Sequence, residues 1–514
     1  MVPPPRAPLT RSSARSAVSQ SLAASAVFLI NITTGMGLGW SSPAWSKMTE
    51  ADPLGPGFTL DLDAASWVVA IYDVGIPVGS VLAGALLGSL GRRRTLMLAP
   101  IMVLSSSALT FAARSSAALN AARVLLGVSF GLDLSCSSLY IGEIASSDMR
   151  GKLCTFTTSL VFVGVLLEYA IGPWVSFAQQ ALLPVAPAVM SLAVFALWAP
   201  ESPYFLASRG RGEEMRRALA RVRGLSNKDA VNGLAQQRAG VDVEAADILR
   251  GMEADRRRER NLWRTLVTNP GNRRGCIIVL FLCGTGPMIG TGSLLSYAQY
   301  LFRTTGSALS AEMSAIVMCA VQCAAGVASS QVIDRAGRRP LLLCSAVCNA
   351  VAMAAAGAFF FMKDALHQDA AAARITWLPL ASLMVFMVST NLGTTTVPWV
   401  MIGELLPQQS KTLVPSLSVL AFSVVAFATN KLLPVLGERV GLFVAFWAFG
   451  LWSLVVFAFT WFLVPETRGK TLLQVQALLL GGAGGKGGHL QDGDKDALQG
   501  HEERAGTPRQ QERW

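Results

Sequence analysis

Long apolar runs constrain this chain more than any other feature. About twelve stretches of some 20 or more mostly apolar residues follow one another, the length a helix needs to cross the hydrocarbon core of a bilayer. They fall roughly at 21–43, 66–90, 95–113, 119–142, 152–176 and 181–199, then at 276–303, 309–333, 340–362, 376–406, 412–436 and 440–464. Such runs are too long for barrel strands, and lipid offers no partner to an open backbone amide, so each is expected to be a helix. The balance of the 514 residues agrees, with 52% hydrophobic and 15% charged positions and a mean hydropathy of +0.45. That composition excludes an ordinary soluble enzyme.

Charge sets the expected orientation. Arginine and lysine concentrate in the first tail (Arg6, Arg11, Arg15), at Arg92 to Arg94, between Glu201 and Arg274, and at Arg335 to Arg339. An even number of spans puts all of these, and both termini, on one side, which the positive-inside rule makes the cytoplasm. The net charge of +11 then needs no nucleic-acid partner. The expected organisation is a cytoplasmic tail (1–20), a six-helix bundle (21–200), a cytoplasmic linker with short helices (201–272), a second six-helix bundle (273–466) and a mostly disordered cytoplasmic tail (467–514). Residues 1–20 are rich in Arg and Ser and lack acids, the look of a transit peptide, but a cytosolic tail is the favoured reading. The first apolar run is long enough to span, so a cleavable signal peptide is not expected. Arg256 to Arg260 could touch anionic lipid heads or lie on a solvated helix face.

Most enzyme and metal chemistries find no support. The eight cysteines sit largely inside apolar runs, in pairs such as Cys319/Cys323 and Cys344/Cys348, without metal-ligand spacing. Packing between helices explains them better than redox or metal chemistry, and no cofactor is expected. His367, His489 and His501 lie in loops or the tail, outside any intramembrane proton relay. The N-x-T triplet at Asn31 falls inside the first run, so it should stay unglycosylated. Gly481 to Gly488 precedes no strand–helix pattern that would make it a phosphate loop, and no nucleophile elbow or HExxH motif is present.

A set of charge motifs occurs twice in the same order. The first half carries GSLGRRR (Gly88 to Arg94), YIGEIASSDMRG (Tyr140 to Gly151) and APESPYFL (Ala199 to Leu206). The second carries DRAGRR (Asp334 to Arg339), WVMIGELLPQQSK (Trp399 to Lys411) and VPETRGKT (Val464 to Thr471). Glu143 stands as far before Arg150 as Glu404 does before Lys411. Two similar membrane bundles facing one another are a common way to build a solute pathway.

With Arg123, Gly127, Gly131 and Pro398-Trp399 added, the series resembles the sugar-porter branch of the major facilitator superfamily, which includes GLUT-type glucose transporters and facilitated trehalose transporters. The resemblance covers about residues 20–475 and implies two bundles with substrate near the midplane. It implies transport of a hexose or trehalose-like carbohydrate by alternating access. Glu143, Glu201, Glu404 and Glu466 would form ion pairs with Arg92, Arg93, Arg150, Arg335, Arg338, Arg339 and Lys411, within and between bundles. Asp334 joins the second cluster. These pairs would favour a state shut on the cytoplasmic side. The first copy has Gly88-Ser89 where the family often has Asp-Arg, so latching is expected to be asymmetric.

The cavity departs from the family. A QQxSGxN pattern in the seventh span of typical hexose carriers is GPMIGTG here (Gly286 to Gly292). The fifth-span glutamine position is Thr158, and an eleventh-span Asn-Trp pair reads Phe422-Ser423. The remaining candidates for reading a sugar are Trp399, Tyr297, Ser42, Thr158, Gln299, Gln322 and Asn391. Trp399 offers an aromatic face, and Pro398 interrupts helical bonding. Asp73, Asp133 and Glu168 are acids inside spans, where a charge costs roughly 2.5 kcal/mol or more, and are the candidates for proton coupling. Proton-coupled sugar porters carry an Asp where this chain has Ser41, which favours facilitated diffusion, with Asp73 the first choice if protons are coupled. A transporter of another solute and a non-transporting sugar sensor share the same fold.

Overall fold

The structure is a computed structural model. It describes residues 12–50, 52–225, 242–246, 248–250, 270–307, 309–406, 413–470, 474–475 and 478–479. Lys411, Arg256 to Arg260, the first eleven residues and the tail from 480 onward lie outside the described residues, as do the side chains of Thr158 and Asp334.

Twelve described helices are long and apolar enough to cross a membrane. The first six are Arg15–Thr49, Leu62–Leu87, Arg92–Phe111, Ser116–Ile144, Asp148–Trp174 and Phe177–Leu197. The second six are Gly271–Ser296, Ala311–Ser329, Arg338–Ala365, Leu378–Leu405, Val414–Arg439 and Leu442–Leu463. They are numbered below as spans one to twelve. The expected runs are found in order, but several ends move. The first helix begins at Ser12, well before the apolar run. Its polar start packs on a short helix, Gly212–Val222, where the Ser19 hydroxyl donates to the Arg221 carbonyl at 2.6 Å.

Packing repeats with the charge motifs. Spans two and four, one and five, three and six, and three and four pair in the first half. Each pair recurs six spans later, as eight and ten, seven and eleven, nine and twelve, and nine and ten. The halves meet through two equivalent contacts, span two on eleven and span five on eight. Glycine lets the tightest pairs form, since lipid-embedded helices associate by close backbone packing. A Cβ on Gly127 would stand 2.1 Å from the Tyr72 carbonyl, and one on Gly79 would stand 2.1 Å from that of Val128. Large apolar side chains such as Val81, Val351 and Phe462 point outward, as helix faces that meet lipid require.

Two spans are broken where the sequence suggested continuous helix. Span seven stops at Met288, restarts over Thr291–Ser296 and again over Ala298–Arg303, with Gly290 at φ 93° in the first gap. Span ten divides into Leu378–Leu392 and Thr396–Leu405. The break lies at Gly393 to Thr395, before Pro398 rather than at it, because a proline fits the first turn of the restarted helix. The freed Thr394 amide finds a partner in span nine, donating to Ser345 Oγ at 3.1 Å, and the Asn349 side chain steadies the same residue by donating from Nδ2 to Thr394 Oγ1 at 3.1 Å.

Candidate functional site: two charge clamps and a polar seam

The duplicated motifs build two matching clamps on one face of the molecule. In the first half, Arg92 Nε and Nη2 donate to the Glu143 carboxylate at 2.9 Å each, tying span three to span four. Glu201 Oε1 accepts the backbone amides of Arg92 and Arg93 at 2.9 and 3.0 Å, and Ser202 Oγ donates to Glu143. In the second half, Arg338 Nε donates to Glu404 at 3.0 Å, tying span nine to span ten. Glu466 accepts the amides of Arg338 and Arg339 at 3.1 Å each, while Thr467 Oγ1 donates to Glu404 at 2.5 Å. Even the supporting contacts match, with Arg93 capping the Ala196 carbonyl and Arg339 that of Trp461.

A glycine with positive φ precedes each Arg pair, Gly91 at 91° and Gly337 at 89°. Those turns aim two successive N–H groups at one carboxylate, and a Cβ there would stand 2.5 Å from Glu201 or 3.0 Å from Glu466. These Arg–Glu pairs lie inside a half rather than between halves, because Arg92 and Arg338 sit in the first turn of the helix beside the glutamate. Arg150 takes no part: it is exposed on the first turn of span five, and its side chain makes no hydrogen bond or ion pair among the described residues. Arg335 is exposed as well. Where the first copy has Gly88-Ser89, the two carbonyls accept Arg209 Nη2 at 2.5 and 3.2 Å.

On the opposite face the two halves are bonded directly. Tyr169 donates from span five to the Leu295 carbonyl, and Ser42 Oγ accepts the Gln299 amide at 3.1 Å. Trp45 meets Tyr297 edge-on with centroids 4.9 Å apart. Lys431 bonds Asp63 at 2.6 Å and Ser66 at 2.7 Å. Deeper in, Asn430 Nδ2 donates to Asp73 at 2.7 Å, and the Tyr297 hydroxyl donates to the Asn430 carbonyl at 2.8 Å.

The three intramembrane acids thereby separate. Asp73 reaches across the interface to span eleven. Asp133 accepts from Thr34 at 2.8 Å and from Ser137, within the first half. Glu168 accepts from Gln180 at 2.9 Å, also within the first half. Gln180 and the carbonyls of Gly172 and Val175 receive Lys47, a buried lysine that ties the end of span one opposite the clamps to the fifth and sixth. Arg123 is buried too, donating to the carbonyls of Gly37 (2.8 Å) and Val68 (3.3 Å) and to Ser41 Oγ (3.0 Å), with its guanidinium over the Tyr72 ring.

The seam holds polar atoms without partners among the described residues. Gln322 is wholly buried with neither amide atom paired. It shares a helix face with Cys319 and Gly326, both of which lie against Phe162 of span five. Gln299 Nε2, Asn430 Oδ1, Ser423 Oγ and the Tyr72 hydroxyl are unpaired as well. Trp399 is half-buried, packs toward Phe422 at 6.4 Å, and touches the apolar cluster of Tyr72, Ile76 and Val419 that joins the halves. Asn391 instead turns back to its own helix, donating to the Met387 carbonyl at 2.8 Å.

Sequence reasoning missed Tyr72, Asn430, Lys47 and Gln180. Asn430 carried a usable signal, since it lies two helical turns from Ser423 and so on the same face.

Known proteins share the family and the fold of this chain. The family described as "Sugar (and other) transporter" matches residues 12–479. A facilitated trehalose transporter of Drosophila willistoni is 29% identical over 464 residues, 90% of this chain, which spans about half (51%) of that relative. A facilitated trehalose transporter homologue of Drosophila simulans is 30% identical, with 90% of this chain and 91% of the relative covered. An inward-open structure of the xylose transporter XylE from E. coli aligns with a TM-score of 0.69 at 18% identity, over 89% of this chain and 98% of that one. A peptide transporter structure aligns at 0.58 and 14% identity, over 86% and 93%. The matched relatives are transporters, not enzymes, and the fold is that of two six-helix bundles in a membrane. The chain belongs to the sugar (and other) transporter family.

Proposed function

We propose that this protein carries a sugar, a hexose or a trehalose-like carbohydrate, across a membrane by alternating access and facilitated diffusion. One observation carries the reading: polar atoms of Gln322, Gln299, Asn430, Ser423 and Tyr72 that are unpaired among the described residues gather along the seam between the halves. A buried polar group left unpaired costs roughly 1–3 kcal/mol, and a polyhydroxylated ligand would relieve several such costs at once. Trp399 adds an aromatic surface suited to the C–H face of a sugar ring. Ser42 and Tyr297 belong to the closure of the opposite face, and Asn391 supports the broken tenth span. The trehalose-transporting relatives support a sugar, and the departures at Gly286 to Gly292 favour a cargo other than the commonest hexoses.

In this reading the two clamps lie at the cytoplasmic face of a plasma-membrane protein, with both termini on that side, and 21–200 and 273–466 rock about the seam. The clamps keep spans three and four, and nine and ten, moving as units. The bonds from Asp73, Ser42, Tyr169 and Lys431 hold the outer side shut. Counterflow in proteoliposomes preloaded with single sugars, polyols or amines tests the reading. Saturable exchange is expected for at least one sugar. Exchange confined to amines would point to another solute, and no exchange with any cargo would leave a sensor.

Asp73 favours one second reading, proton symport, because it alone of the three acids bonds across the halves. Uptake against a sugar gradient when the outside is acidified, lost in Asp73→Asn, would establish it.

A further inference from the structure

The face that carries the clamps holds a separate basic cavity under the first half. Its volume is about 1240 Å³, and its walls come from the turn before span three, Pro200-Glu201, and the short helices Pro203–Ser208 and Gly212–Val222. Six arginines line it: Arg93, Arg94, Arg209, Arg211, Arg217 and Arg221. Two glutamates share the wall, and both are engaged. Glu214 is held by Arg211 at 2.5 and 2.7 Å, and Glu201 by the backbone amides of Arg92 and Arg93.

Among the described residues, the remaining positive charge lacks a carboxylate partner. Arg94 and Arg217 are exposed and have no hydrogen-bond or ion-pair partner among the described residues. Arg93 Nε is buried with no partner either. Arg209 and Arg221 reach backbone carbonyls of Gly88 and Leu197, which fixes their position but neutralises nothing. Guanidinium groups presented in this way match phosphate oxygens, which accept paired N–H donors.

Apolar residues beside the cavity point to a lipid as the source of such a phosphate. Leu90, Leu197 and Trp198, at the ends of spans two and six, are exposed by 38%, 76% and 47%. Arg221 lies over the Trp198 ring at 5.9 Å. Exposed tryptophan and leucine at a span's end mark the level where acyl chains give way to headgroups. We propose that this cavity binds the multiply charged phosphate headgroup of an anionic membrane lipid, with Arg94, Arg217 and Arg93 as its principal donors. The lipid's chains would run up beside Leu197 and Trp198.

The test titrates the detergent-purified full chain with dioctanoyl phosphatidylinositol bisphosphate, with dioctanoyl phosphatidylcholine as the neutral comparison. Saturable binding is expected for the first lipid alone, weakening steeply with salt. Arg94→Gln with Arg217→Gln should weaken it at least tenfold. Among the described residues neither side chain has a bond to lose, and Arg94→Gln alone, with a threefold effect, provides a second reading. Arg439→Gln, which matches the charge change of Arg94→Gln alone but lies on the opposite face, should leave it intact. Equal binding by the double variant, or by phosphatidylcholine, overturns the site. Free inositol trisphosphate or inorganic phosphate binding as tightly as the lipid overturns the membrane source.

Discussion

At the scale of single residues, unpaired polar atoms are what distinguish the proposed cargo seam from the scaffold. Asn391 and Gln322 look alike in the sequence, as lone amides inside apolar runs. One is satisfied by its own helix and the other by nothing described. Gln322→Ala should therefore raise KM for the transported sugar about tenfold while leaving protein yield unchanged. Asn391→Ala should act mainly on stability, by roughly 1 kcal/mol. Trp399→Ala, measured by counterflow, should weaken affinity for every sugar carried. Unchanged affinity across the panel would remove Trp399 from the site.

Elements act through close backbone contact and the clamps. Gly127 and Gly75 let spans two and four touch, and a Cβ at either would meet a neighbouring carbonyl at 2.1 or 2.3 Å. Gly127→Val should cost about 3 kcal/mol or more and appear as a lower melting temperature in detergent. The clamps should behave as equivalents. Glu143→Gln and Glu404→Gln each leave one arginine of a partly buried pair without its carboxylate. Both should slow transport, and by similar factors, because the geometry of the two sites matches group by group. A large effect in one half alone would show that the clamps are unequal despite their shared construction. That outcome would revive the asymmetry suggested by Gly88-Ser89.

Across the whole molecule, the question is what holds the two halves in this arrangement. The seal opposite the clamps combines the Asp73–Asn430 bond with Lys431–Asp63 and the Trp45–Tyr297 contact. Asn430→Ala should shift the population toward opening on that face, read as faster labelling of a cysteine placed at Tyr300. Facilitated diffusion further predicts that an imposed pH gradient leaves the final sugar level equal on both sides. Accumulation that disappears in Asp73→Asn would overturn it.

The solvent, the twelve crossings, the two-fold repeat and the Arg–Glu pairs at the centre of each clamp are legible in the chain alone. Each of these rests on local pattern: run length, or a fixed order of charges beside a span. The sequence did not reveal that the clamp pairs close within a half, that Arg150 stands apart, or that spans seven and ten are broken. Those features depend on which helix lies beside which. Tertiary structure alone brought Asp73 to Asn430, placed Lys47 among the carbonyls of another span, and left Gln322 unpaired at the seam. In a bilayer every run is apolar enough to cross, so hydropathy cannot rank one helix face above another. Only the packing of twelve helices decides which polar atoms are satisfied and which are left without a partner among the described residues.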